Sequence, residues 1–211
     1  MLLDITDGVS HLTTRIALLK TTITRFLTTS AVLLAAGHSF AADSAPSAPP
    51  PDKTPAIALP DVPATLRPPA GQVVYLEALA TGVQIYQCMS KPGEPATYEW
   101  AFRAPEAALD DRLGRTLGRH YAGPTWEALD GSTVVGETQA RDPGPNPSAI
   151  PWLLLRAKAT TGGGTFGQAK SIQRLQTVGG VAPSQACSAT NAKQIARVPY
   201  AANYYFYRAA P

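Results

Sequence analysis

From about residue 72 onward, apolar and polar side chains alternate with a period of two, the repeat of a β-strand rather than a helix. In TYEWAFR, residues 97–103, Tyr98, Trp100 and Phe102 fall on one face and Thr97, Glu99 and Arg103 on the other. That pattern predicts a strand with one buried side. QVVYLEALA (72–80) and VQIYQCM (83–89) read as two strands joined by a tight hairpin at Thr81-Gly82. RTLGRHYA, PTWEAL, STVVGETQ, WLLLRAKAT, KSIQRLQTV, ARVPY and NYYFYR follow as further strands, separated by Asp130-Gly131-Ser132, Pro143 to Pro151, Gly162-Gly163-Gly164 and Gly179-Gly180. AIPWLLL is continuously apolar, as a strand covered on both faces should be. In NYYFYR, Tyr205 and Tyr207 share one face, and Tyr204 and Phe206 the other. APEAALDDRL is the one helical candidate, with an irregular loop as its alternative. About ten short strands at this spacing predict an all-β, single-domain antiparallel β-sandwich or β-barrel, residues 63–211.

Upstream the pattern changes. Arg15, Lys20 and Arg25 lead into FLTTSAVLLAAGHSFA, an apolar run ending in small residues, and residues 1–41 read as an export signal cut between Ala41 and Ala42. An uncleaved anchor is the competing reading, but the run is shorter than the ~20 apolar residues a membrane span needs. The expectation is an exported protein, periplasmic or secreted, with no stable membrane span once the signal is removed. Residues 42–62 are rich in Pro and Ala, cannot bury enough apolar surface to fold, and are expected to form a disordered linker.

Composition narrows the classes of function. Of 211 residues 45% are hydrophobic, enough for a proper core, and a net charge of +3 lacks the dense basic stripe of a nucleic-acid-binding domain. Cys88 and Cys187 are the only cysteines, and in an exported protein they have one possible pairing. Closing a loop of 99 residues stabilises by about 4–5 kcal/mol in the chain-entropy model. A redox or metal role for the pair lacks CxxC spacing and companion histidines. Of three histidines, His11 and His38 lie in or before the signal, which leaves His120 alone in the mature chain. One histidine and one cystine make no ordinary zinc site, so no metal is expected. Neither GxGxxG nor a P-loop occurs, so no cofactor is expected either.

The densest chemistry lies in GRHYAGPTWEALDGS, residues 118–132. His120 is the candidate acid or base, with Glu127 or Asp130 as its orienting carboxylate and Tyr121 or Arg119 stabilising negative charge. No GxSxG elbow supports a serine nucleophile, and a lone histidine on a strand is more often a packed residue. Arg119, Tyr121, Trp126, Tyr205 and Tyr207 are candidate ligand contacts, since aromatic faces stack on sugars and apolar ligands while Tyr and Trp keep a polar handle. Core packing is the alternative for each.

LRPPAGQVVYLEALATGVQIYQC, YEWAFRAPEAALDD, GRHYAGPTWEALDGSTVVGE, ARDPGPNPSAIPWLLLRA, SIQRLQTVGG and VPYAANYYFYR together resemble a family of secreted bacterial and fungal proteins, domain-of-unknown-function family 3455, from about Pro63 to Arg208. The resemblance implies a shared fold and carries over no ligand or catalytic residue. Three functions stay open: a non-catalytic exported domain binding a small molecule, glycan or envelope component; a hydrolase or lyase working through His120; and a structural or stress-related envelope protein without a small ligand.

Overall fold

A computed structural model of the chain describes residues 56–211; the expected export signal and the linker up to residue 55 lie outside the described residues. The fold is all-β. Its strands are β1 (Gln72–Lys91), β2 (Glu94–Asp110), β3 (Thr116–Tyr121), β4 (Thr125–Ala128), β5 (Thr133–Asp142), β6 (Trp152–Thr161), β7 (Ser171–Gly179) and β8 (Ile195–Ala209). All pair antiparallel in chain order, and β1 also pairs with β8, so the single sheet closes on itself as a barrel.

Eight strands replace the expected ten because two presumed breaks are not breaks. The hairpin expected at Thr81-Gly82 is instead the middle of β1, which runs unbroken while β2 and β8 pair along both its sides. A Cβ at Gly82 would collide with the Glu106 carbonyl and Ala107, so this glycine lets two backbones approach closely and turns nothing. ARVPY and NYYFYR are likewise one strand, β8; Pro199 stands one residue beyond the end of its ladder with β7. APEAALDDRL is not helical: Ala104 to Asp110 complete β2, and Asp111 to Arg115 make the turn into β3.

Alternation sorts the side chains into two cores. Inside the barrel lie Ala78, Ala80, Leu109, Trp126, Val134, Leu155, Ile172, Tyr204 and Phe206. Small residues on β1 face the bulky rings of β4 and β8, which is how large and small positions fill a barrel of this size. Outside it, Trp152, Leu154, Leu175, Tyr205 and Tyr207 pack beneath Leu66 of a 3-10 turn (Ala64–Leu66), with Ile57 and Val62 against them. Gln173 ties this layer down, donating from Nε2 to the Leu66 carbonyl at 2.6 Å and accepting from the Tyr207 hydroxyl at 2.6 Å. AIPWLLL is therefore covered on both faces, as expected: Leu153 and Leu155 point inward, Trp152 and Leu154 outward.

One barrel end is plugged. The β6–β7 loop inserts Phe166 and Ala169 into the inner core, with the Phe166 ring 4.7 Å from that of Phe206. Asp130 clasps the loop, accepting from the Thr165 backbone N–H and hydroxyl at 2.7 Å each. Near the opposite end, Cys88 and Cys187 form the expected disulfide, binding β1 to the β7–β8 loop. There β1 and β2 run on together as a ribbon. The aromatic face expected to be buried in TYEWAFR belongs to that ribbon, and Phe102 is 52% exposed. The reason is topological: β3 pairs only with the other half of β2.

Candidate functional site

At the unplugged end a cavity of about 550 Å³ opens into the barrel. Strand register builds it. Arg141, Leu153, Arg174, Tyr204 and Ala78 stand opposite one another in turn across β5, β6, β7, β8 and β1, and therefore share the inward face. A neighbouring row runs through Ala107, His120, Trp126 and Val134. Gln84 and Tyr86 of β1 and Phe102 and Arg103 of β2 complete one wall, Ile150 and Pro151 another.

Aromatic rings form the floor. The His120 imidazole stacks on the Trp126 indole with ring centres 4.4 Å apart and planes 13° from parallel, and Tyr204 meets both rings edge-on at 5.1 and 5.2 Å. Gly136 makes this packing possible, because a Cβ there would come within 2.8 Å of the indole.

The polar groups divide into satisfied and unsatisfied ones. His120 Nδ1 lies 2.8 Å from the Thr125 carbonyl, which can only accept, so Nδ1 carries the proton and Nε2 a lone pair. Burial holds the imidazole pKa down to about 3, against the smaller upward pull of that hydrogen bond. His120 is thus a neutral ring. Among the described residues, the buried Trp126 Nε1 has no hydrogen-bond partner, whereas the Tyr204 hydroxyl lies beside Tyr200 and Arg174, and Gln84 beside Tyr200. Burial raises the Tyr204 pKa, so its hydroxyl keeps its proton. Arg174, half-buried, donates from Nε and Nη2 to the Pro151 carbonyl at 3.1 and 2.8 Å. Among the described residues no carboxylate lines the cavity, whereas Arg103, Arg141 and Arg174 all do.

The residues singled out from the sequence scatter. His120 and Trp126 meet in the cavity. Arg119 and Tyr121, one position either side of His120, point to the opposite face of the sheet, where Glu127 accepts from Arg119 Nη2 at 2.9 Å and from the Tyr121 hydroxyl at 2.8 Å. Those two partners hold the Glu127 pKa below its ordinary value. Asp130 is at the plugged end, accepting from Ser132 and Thr165, whose donors keep its carboxyl well below the usual carboxylate range. No expected acid–base pair with His120 is assembled by these contacts. Tyr205 and Tyr207 lie buried in the outer layer. Of the proline loop, Arg141, Ile150 and Pro151 reach the cavity, while Asp142 instead accepts from the Gly144 N–H.

Sequence reasoning passed over Arg174, Gln84 and Tyr86. Arg174 has the same strand parity as Ile172, which marked it as inward-facing. Gln84 is polar and alternates with the apolar Val83 and Ile85 in VQIYQCM, yet Gln84, Tyr86 and Cys88 are the buried set.

Fold and site together define a closed antiparallel barrel with a cationic, aromatic-floored cavity at one end. The chain belongs to the family described as "Protein of unknown function (DUF3455)", which matches residues 69–208. Comparison with curated proteins and with solved structures found no match. Among the described residues, no helix is long and apolar enough to cross a membrane, and no three His, Cys, Asp or Glu side chains converge as metal ligands.

Proposed function

We propose that this domain is an exported, non-catalytic binding protein that holds a small molecule in the cavity at the unplugged barrel end. One observation carries the reading: a cavity of about 550 Å³ with an aromatic floor is lined by Arg103, Arg141 and Arg174 and, among the described residues, by no carboxylate. A ligand that brings a counter-charge or hydrogen-bond acceptors to these guanidinium groups offsets the cost of holding them beside apolar walls. The volume fits, since small-molecule pockets run from about 300 to 1,000 Å³, and eight-stranded barrels are wide enough to admit one small ligand. The neutral His120, hydrogen-bonded to a backbone carbonyl rather than to a carboxylate, serves as a stacking surface.

The test is a thermal-shift screen of the full chain against saccharides, lipids, nucleosides and organic acids, repeated on Thr138→Trp. Thr138 is exposed at the cavity rim, so a bulky ring there obstructs entry without disturbing the core. A compound at a hundred times its dissociation constant should stabilise the wild-type chain by about 2.7 kcal/mol and leave Thr138→Trp unmoved. A flat response across every class, or a shift that survives the obstruction, contradicts the proposal.

A further inference from the structure

The chemistry of the cavity also restricts what can fill it. Among the described residues, no carboxylate lies within ion-pair distance of Arg174, Arg141 or Arg103. Arg174 is the deepest of the three: it is half-buried, whereas Arg103 and Arg141 are exposed at the rim. Its charge is felt at Tyr86, Tyr200, Tyr204 and His120, all neutral. A guanidinium cannot shed its charge when buried, so its environment must supply a counter-charge or water.

The geometry of Arg174 narrows the choice. A guanidinium has five N–H donors, and one edge, Nε with Nη2, is spent on the Pro151 carbonyl. That contact fixes the plane of the group. The other edge, Nη1 with the second Nη2 hydrogen, presents two parallel N–H donors, the pattern that a carboxylate matches with its two oxygens. Tyr204 stands directly across the β7–β8 ladder and brings its hydroxyl beside Arg174 on the same face. Around them the walls are apolar: Leu153, Leu155, Ile150 and the rings of Trp126 and Phe102.

We infer that the cavity takes a monocarboxylate with an apolar body, its carboxylate seated on the free edge of Arg174 and its body against Trp126, Leu153 and Leu155. This rests on the binding role proposed above. Aryl-alkanoic acids and medium-chain fatty acids share that chemistry. The stacked His120–Trp126 floor suits a flat ring, and the branched aliphatic wall suits a chain.

Isothermal titration calorimetry on the full chain separates the possibilities, using 3-phenylpropionate, its primary amide, its alcohol, and octanoate. The acid and its amide have nearly the same shape and differ in charge, so their comparison on the wild-type chain requires no substitution. The carboxylate should bind at least tenfold more tightly than the amide or the alcohol, and Arg174→Gln should weaken it by roughly 30-fold or more. Arg174→Lys, which keeps the charge but not the paired donors, should fall between. Tighter binding of octanoate than of phenylpropionate assigns the body as a chain, and the reverse assigns it as a ring; either supports the carboxylate class. Amide and acid binding equally, both blocked by Thr138→Trp, overturns the anionic class while leaving the binding role intact. Absence of heat from every probe at millimolar concentration, with no Thr138-sensitive shift in the wider screen, overturns both.

Discussion

The two ends of this barrel are made from the same eight strands and treat their polar groups in opposite ways. At the plugged end every polar side chain of the clasp has a partner: Asp130 binds Ser132 and Thr165, the Ser132 hydroxyl accepts from the Phe166 N–H at 3.0 Å, and the Tyr75 hydroxyl donates to the Thr165 carbonyl at 2.9 Å. Phe166 fills the space between them. At the open end the buried Trp126 indole N–H stays unpaired, and among the described residues no carboxylate pairs with Arg174. One end therefore contributes stability, and the other carries groups that cost stability unless something else satisfies them. Such departures from full satisfaction are what functional sites look like against a well-paired scaffold.

The contrast can be broken most forcefully at the plug. Phe166→Ala removes a fully buried ring and should cost about 3–5 kcal/mol in urea unfolding, while affinity at the open end, measured on the folded fraction, stays within about twofold. A collapse of affinity on the same scale would mean the two ends are not separable.

A second effect, smaller per step, is pH dependence. His120 titrates near its ordinary value of 6.5 when unfolded and at about 3 when folded, so the folded state binds fewer protons between those limits. The neutral ring's contribution is fully present above pH 6.5 and is lost as pH falls toward 3, at roughly 1 kcal/mol per pH unit. Urea midpoints measured from pH 7 to pH 4 should fall accordingly, and His120→Gln should flatten that part of the curve. A slope unchanged in the variant assigns the acid sensitivity to other groups.

Tyr204→Phe should produce the smallest change in stability and the most informative one. Deleting the hydroxyl removes both its burial cost and its contacts with Tyr200 and Arg174, which largely offset, so stability should change by no more than about 1 kcal/mol while the carboxylate probe binds more weakly. Lost stability together with unchanged binding would show that the hydroxyl serves the fold.

Much of the fold was legible because period-two alternation survives in most strands. TLGRHY, TWEA and NYYFYR sort their side chains as the pattern implies, and the cystine was legible because the chain has only two cysteines. What misled was local punctuation whose purpose is tertiary. Gly82 resembles a turn residue, but only its missing Cβ matters, because β2 passes too close for any side chain. APEAALDD resembles a helix by propensity, yet Ala107 and Leu109 alternate inward with the barrel. The site was legible in part. His120 and Trp126 announce themselves, but their apparent companions Arg119, Tyr121 and Glu127 lie on the other face of the same strands, an outcome alternation itself demanded. Arg174 sits fifty-four residues beyond His120 (174 minus 120) and reaches the cavity only through barrel closure.

The three tryptophans report on the account directly, because they occupy three different environments: Trp126 in the cavity with a free indole N–H, Trp100 donating to the Gln185 carbonyl at 2.8 Å, and Trp152 in the outer layer. A ¹⁵N–¹H spectrum of the full chain, titrated with 3-phenylpropionate, should shift the Trp126 indole resonance in proportion to occupancy while those of Trp100 and Trp152 stay in place. A Trp126 resonance that does not move at saturating probe, or one that moves no more than the other two, would contradict a binding site at the open end.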